Sequence, residues 1–147
     1  MGGLSGAETA AAILTSRGAV VSLLGQRVLA TICDQDKPVG AYEIADKLGR
    51  RQNGRPVTPN SVYRILKTLV ECGAVQHIEC QRAYIARTVV DYATSAVLCV
   101  CDGCGRVDRI TVPNIEAEIA AAALGREFHL HRQIIEATGL CRECSKS

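Results

Sequence analysis

The stretch Thr58-Pro59-Asn60-Ser61-Val62-Tyr63-Arg64-Ile65-Leu66-Lys67-Thr68-Leu69-Val70-Glu71-Cys72-Gly73 decides the fold. Thr58 is a good N-cap, since its hydroxyl can accept from a first-turn amide that has no helical partner. Pro59 suits the first helical position, where a missing N–H costs nothing. Gly73 stands where a left-handed residue ends a helix. Between them Val62, Ile65, Leu66, Leu69 and Val70 recur at helical spacing and form one broad apolar face. At about 100° per residue, Asn60, Arg64 and Lys67 lie opposite that face, with Tyr63 on their edge.

Upstream, three shorter helices are expected. Residues 7–17 read as a helix stopped by Gly18. A second runs from about Gly25 to Asp34, with Val28, Leu29, Ile32 and Cys33 as its apolar stripe. A third covers Ala41 to Leu48, and residues 49–57 form a polar, basic, glycine-punctuated loop. Downstream, residues 74–80 and 82–86 read as two strands with Gln81 at the turn. Short helices, a capped helix with a basic outer face and then a hairpin make the order of a winged helix-turn-helix. Such a fold inserts its third core helix into the major groove of DNA; the helix at 7–17 is an N-terminal addition.

Residues 87–94 read as a hinge, and 95–112 as two strands around Cys101-Asp102-Gly103-Cys104. Asn114 to Leu124 is an alanine-rich helix ended by Gly125, and 127–136 a strand leading into Cys141-Arg142-Glu143-Cys144. Each CxxC knuckle offers two thiolates at a spacing one Zn²⁺ accepts, so Cys101, Cys104, Cys141 and Cys144 close a tetrahedral structural site with no open position. The fold class expected is therefore α+β: a winged-helix DNA-binding domain over 1–87, then a small α/β dimerisation and zinc-binding domain over 88–147.

Composition supports this division. Residues 1–87 hold 11 Lys/Arg against 7 Asp/Glu, while residues 88–147 hold 6 against 8. Four thiolates less one dication would make the second half more negative still. A basic lobe joined to an acidic, metal-bearing one suits DNA binding plus dimerisation. Only 3% of the chain is aromatic and Trp is absent, so the core is built from aliphatic side chains. The N-terminus has no basic region followed by an apolar stretch, and no apolar run is long enough to span a bilayer. A cytoplasmic protein without a membrane partner is expected, its eight cysteines kept reduced. A Cys₄ set leaves no position for a reacting water, and no HExxH or HxE…PCxxC arrangement occurs. Hydrolytic zinc chemistry is therefore not expected, nor is a small-molecule substrate. The winged-helix signals argue against a simple protein-binding zinc ribbon.

Gln26-Arg27-Val28-Leu29, Ala41-Tyr42-Glu43-Ile44, Ser61 to Leu69 and Cys72-Gly73-Ala74-Val75, followed by the two knuckles, together resemble the ferric uptake regulator family of bacterial metal-responsive repressors over nearly the whole chain. Gly40-Ala41-Tyr42, His77-Ile78-Glu79 and Ile134 to Cys141 look most like its zinc uptake regulator branch. The resemblance implies a homodimeric repressor on a palindromic double-stranded DNA operator, with one structural Zn²⁺ per protomer. It places Tyr63 and Arg64 on bases, where an Arg fork reads guanine and an aromatic edge meets a thymine methyl. Lys67, Arg27, Arg50, Arg51 and Arg55 become phosphate contacts that set register. Asn60, Thr58 and Ser61, at the start of the same helix, complete the DNA-facing set.

The family's second, regulatory metal site is poorly matched. The hinge lacks His; Arg109, beside Asp108, stands where a carboxylate is expected; Gln133 stands where a His is expected. Substitute ligands for a second Zn²⁺ or other divalent metal are His77, Glu79, Cys80 and Cys99, with His129 and His131 on one face of the expected strand. The competing readings are a polar strand face for the two His and small buried hydrophobes for Cys80 and Cys99. Cys33 and Cys72 read as core. The alternative function keeps the fold with structural zinc only, in a regulator that is metal-independent or answers to thiol oxidation.

Overall fold

In the computed structural model, which describes residues 3–87 and 96–147, the chain divides into two compact units, Met1–Asp91 and Tyr92–Ser147. Apart from Arg87, the expected hinge lies outside the described residues.

The first unit comprises α1 (Gly6–Arg17), α2 (Leu23–Cys33), α3 (Ala41–Leu48), α4 (Pro59–Glu71), β1 (Val75–Ile78) and β2 (Ala83–Ala86). α1 opens with a capping box: Ser5 Oγ accepts from the Glu8 amide, and the Glu8 carboxylate accepts from the Ser5 amide. α2 starts at Leu23 rather than Gly25, because Ser22 caps it through the Gly25 amide at 3.1 Å. Thr58 caps α4 as expected, accepting from the Ser61 amide, and Gly73 follows with φ 80°. Ile13, Val28, Leu29, Ile32, Ile44, Val62, Leu66, Leu69 and Val75 are buried together. The stripes that predicted these helices are thus the faces that pack.

The wing is shorter than expected. β1 and β2 pair antiparallel from Val75↔Ala86 to Ile78↔Ala83. Glu79–Gln81 form a 3-10 turn, closed by Arg82 at φ 50°. A single residue at Gln81 cannot reverse the chain; the tightest hairpins need two. Glu79 and Cys80 therefore belong to the turn. Val39 bridges Tyr84 through two backbone hydrogen bonds of 3.0 and 2.9 Å, which ties the wing to the entry of α3.

The second unit is one α-helix and a three-stranded sheet in which β3 (Ala96–Cys101) lies between β4 (Val107–Thr111) and β5 (Glu136–Gly139). β3 and β4 are the expected strands around the first knuckle. α5 spans Ile115–Leu124, but Gly125 is not its left-handed terminator. Glu127 takes that role at φ 60°, and the Phe128 amide bonds the Ala123 carbonyl, as helix-closing motifs do. The strand expected at 127–136 is displaced: β5 is Glu136–Gly139 and pairs parallel to β3 from Leu98↔Glu136 to Cys101↔Gly139. His129 and His131 precede it in irregular backbone, so they share no strand face. Period-two alternation does not by itself place a strand; the partner edge decides where it forms.

Candidate metal centre and nucleic-acid interface

The parallel pairing of β5 with β3 builds the metal centre. Parallel neighbours end on the same side, so the knuckle that follows β3 and the knuckle that follows β5 arrive together. Gly105, at φ 75°, turns the chain after Cys104, and the Asp102 amide bonds the Gly139 carbonyl at 2.7 Å. Gly103 lies so close to the second knuckle that an added Cβ would stand 2.9 Å from Cys144 Sγ. The glycine inside the first knuckle is thus what lets the second approach.

The ligand atoms of Cys101, Cys104, Cys141 and Cys144 all lie within 4.8 Å of one another, with Cys104 and Cys141 Sγ 3.9 Å apart. Tetrahedral zinc with Zn–S bonds of about 2.3 Å needs sulfurs about 3.8 Å apart, so the four residues fit the ion. Cys101 Sγ accepts from the Cys141 amide at 3.3 Å. Backbone N–H groups, of Cys141 first and then Cys104, draw its thiol down to about 6, while hydrogen bonds with Cys141 and Cys101 push the Cys144 thiol up to about 12. Four crowded thiols cannot all ionise alone; a dication removes that conflict and releases their protons.

The other candidate ligands are placed as follows. His77 lies on β1, its Nδ1 3.2 Å from Glu79 Oε1, with its ring 4.7 Å from that of Tyr84. Cys80 is exposed in the wing turn, and Cys99 is half-buried in β3. Among the described residues, the four knuckle cysteines are the one group of three or more His, Cys, Asp or Glu whose ligand atoms converge. Gln133, which stands at the expected His position, donates to the Glu116 carbonyl at 2.9 Å and fastens the chain before β5 to the first turn of α5. Cys33 and Cys72 are half-buried in the first unit: burial pushes the Cys33 thiol up to about 11, and Cys72 bonds the Leu69 carbonyl.

On α4, Val62, Leu66 and Leu69 are wholly buried while Asn60, Tyr63, Arg64 and Lys67 are exposed. Tyr42, in the first turn of α3, is also exposed and meets Tyr63 edge-to-face at 6.5 Å. The sequence offered Tyr42 as a motif residue but gave no sign of this pairing. Arg64 shares a cleft of about 530 Å³ with Arg27, Arg51, Ser22 and Ser61. Arg27 and Arg51 are already engaged there. Arg27 Nη1 and Nη2 donate to the carbonyls of Arg50 and Leu48 at 3.0 and 3.1 Å, and Arg51 Nη2 donates to Ser61 Oγ at 2.8 Å. Arg50 Nη1 donates to the Gly54 carbonyl. Thr58 and Ser61 hydroxyls lie 2.9 Å apart at the helix start, and Arg55 is exposed on the loop.

The model of the ferric uptake regulator family matches residues 21–138, a span that takes in α4, the wing and the first knuckle. The chain belongs to the ferric uptake regulator family. Within the family it is 33% identical over 127 residues to the zinc uptake regulation protein of Escherichia coli (strain K12), covering 84% of this chain and 73% of that one. The match to the same-named protein of Shigella flexneri has the same extent. Among solved structures it resembles holo XcZur (27% identity, TM-score 0.82, 96% and 99% of the two chains). It equally resembles a zinc uptake regulator complexed with zinc and DNA (28%, TM-score 0.82, 98% and 97%). The α+β fold, a winged helix-turn-helix followed by a small sheet-and-helix unit with four convergent cysteines, is that of the family. Members are transcription regulators, not enzymes. No helix among the described residues is long and apolar enough to cross a membrane.

Proposed function

We propose that this chain is a zinc-responsive transcriptional repressor that binds a palindromic operator as a homodimer. Residues 1–87 would serve as its DNA-binding domain and 88–147 as its dimerisation and zinc-binding domain. The observation that carries this is the division of α4 into a buried apolar face and an outward face of Asn60, Tyr63, Arg64 and Lys67, in a chain with 33% identity to a zinc uptake regulation protein. Tyr63 and Arg64 read base edges, and Lys67 and Arg55 neutralise phosphates. Cys101, Cys104, Cys141 and Cys144 hold one Zn²⁺ per protomer as a staple; the metal's chemistry there is structural.

The homodimer is supported by exposed apolar side chains of the second unit: Ile110, Ile119, Leu124, Phe128 and Ile134 are 38–61% exposed in the single chain. Such surface in a small unit calls for a partner. Two symmetric recognition helices would then meet half-sites one helical turn, or a multiple of it, apart.

Operator binding measured after mild chelation, with and without added zinc, tests the proposal. Tighter binding on zinc addition is expected. Equal binding in both conditions favours the second reading, a regulator with structural zinc alone that is constitutive or thiol-responsive. The convergence of only four ligands among the described residues is the observation on that side. Zinc per protomer separates the two: about two for sensing, about one for the staple.

A further inference from the structure

Arg27 and Arg51 carry charge toward the cleft beside Arg64, and charge alone would make them phosphate contacts. Their hydrogen bonds point elsewhere. Leu48 is the last residue of α3, and its carbonyl is among those a helix end leaves without a helical partner. Arg27, from α2, places one guanidinium nitrogen on that carbonyl and the other on the Arg50 carbonyl, at 3.1 and 3.0 Å. The fork thus spans the exit of α3 on both sides of Gly49, whose φ of 65° and ψ of −84° bend the chain sharply.

Beyond that exit the loop is a miniature hairpin. Arg50 bridges Pro56, the Arg51 amide bonds the Arg55 carbonyl at 2.7 Å, and the Val57 amide bonds the Gly49 carbonyl at 2.8 Å. Arg51 then reaches forward to Ser61 Oγ at 2.8 Å, and Ser61 Oγ lies 2.9 Å from the hydroxyl of the N-cap Thr58. Two guanidinium groups therefore tie α2 to the hairpin, through two bonds from Arg27, and the hairpin to the first turn of α4, through one bond from Arg51. Arg64 follows Ser61 by less than one turn of the same helix.

We infer that Arg27 and Arg51 are positioning residues: they fix the connection between α3 and α4, and so the aim of Arg64, instead of neutralising phosphates. The inference rests on the DNA-binding reading above. Its chemical consequence is that lysine cannot replace either residue. Lysine keeps the charge but not the planar fork with which Arg27 spans two carbonyls, and its ammonium ends one bond short of the nitrogen with which Arg51 reaches Ser61. A phosphate contact would tolerate that exchange.

The test uses the full-length, zinc-loaded protein and a duplex that the wild type selects from a randomised library, with a shuffled duplex of equal composition as reference. Binding is measured against salt for the wild type, Arg27→Lys, Arg51→Lys, Arg27→Ala and Lys67→Ala. Hydrogen exchange of the loop amides of Arg51, Gly54 and Val57 is followed without DNA. In both lysine variants the preference for the selected duplex should fall about tenfold per half-site, the loss of a charge-assisted hydrogen bond, with the salt slope unchanged. Their loop amides should exchange about tenfold faster. Lys67→Ala should instead lower the slope by about one unit per half-site and leave the preference intact.

Full preference in both lysine variants, with a slope reduced by about one unit per half-site in Arg27→Ala, would overturn the inference and make Arg27 a phosphate contact. Unchanged loop exchange would overturn it as well. Should Arg27→Lys melt early, Arg51→Lys carries the same test from the surface loop. A wild type that prefers no duplex overturns the DNA-binding reading itself, and the inference with it.

Discussion

The two units reach stability by different means. Among the described residues of the first, eighteen hydrophobic residues are buried, from Ala10 to Ala83, and each of the four helices contributes. In the second, Leu98, Val100 and Cys101 are the buried hydrophobics among the described residues, and α5 buries none of its side chains. One unit is an ordinary apolar core. The other is a small sheet whose strand ends deliver four thiolates to one point, and Ile110, Ile119, Leu124 and Ile134 are exposed around it. Small lobes without enough core rely on metals or partners, and the second unit has the residues for both.

That contrast yields graded expectations. The largest effect belongs to Cys104→Ser. A structural zinc site contributes apparent free energy on the order of 10 kcal/mol, so the variant should lose its zinc and the proposed dimer. Metal analysis and sedimentation check this; retention of both would refute the staple. Next is Leu66→Ala, buried in the first unit, which should lower the denaturant stability of that unit by about 2–5 kcal/mol and leave zinc content unchanged. Loss of zinc in this variant would erase the contrast. Arg64→Ala should cost operator binding roughly 1–3 kcal/mol per half-site and relax the preference at one base pair, as a panel of single-base operator variants would show.

The smallest effect is at α1. The Ser5 amide, then the Ser5 hydroxyl, hold the Glu8 carboxyl below its ordinary value. A depressed folded-state pKa gives stability that is present above the unfolded pKa and is lost as pH falls through the folded one. Protection of the α1 amides should therefore weaken as pH drops below the usual glutamate range. Glu8→Gln should keep the cap but lose the pH dependence.

Much of the first unit was legible because its signals are local. Thr58, Pro59 and Gly73 delimit α4 by their own backbone chemistry, and the spacing from Val62 to Val70 gives its buried face. The two knuckles were legible because CxxC is a local ligand geometry. What failed was non-local. Residues 127–136 read as a strand, yet β5 forms at Glu136–Gly139, because β3 supplies the pairing edge there and Glu127 still closes α5. Ser22 was missed as the α2 cap because Gly25 looked like a helix boundary, whereas its amide is the group being capped. Arg27 and Arg51 announced charge; which carbonyl or hydroxyl each would meet depends on packing between α2, the loop and α4.

The central claim is that metal, not an apolar core, holds the second unit. Hydrogen exchange across the full chain, before and after removal of zinc with a strong chelator, tests it most directly. Amides of β3, β4 and β5 should lose protection on zinc removal, while those of α2 and α4 stay protected. Sheet protection that survives the loss of zinc, or collapse of both units together, would contradict the account.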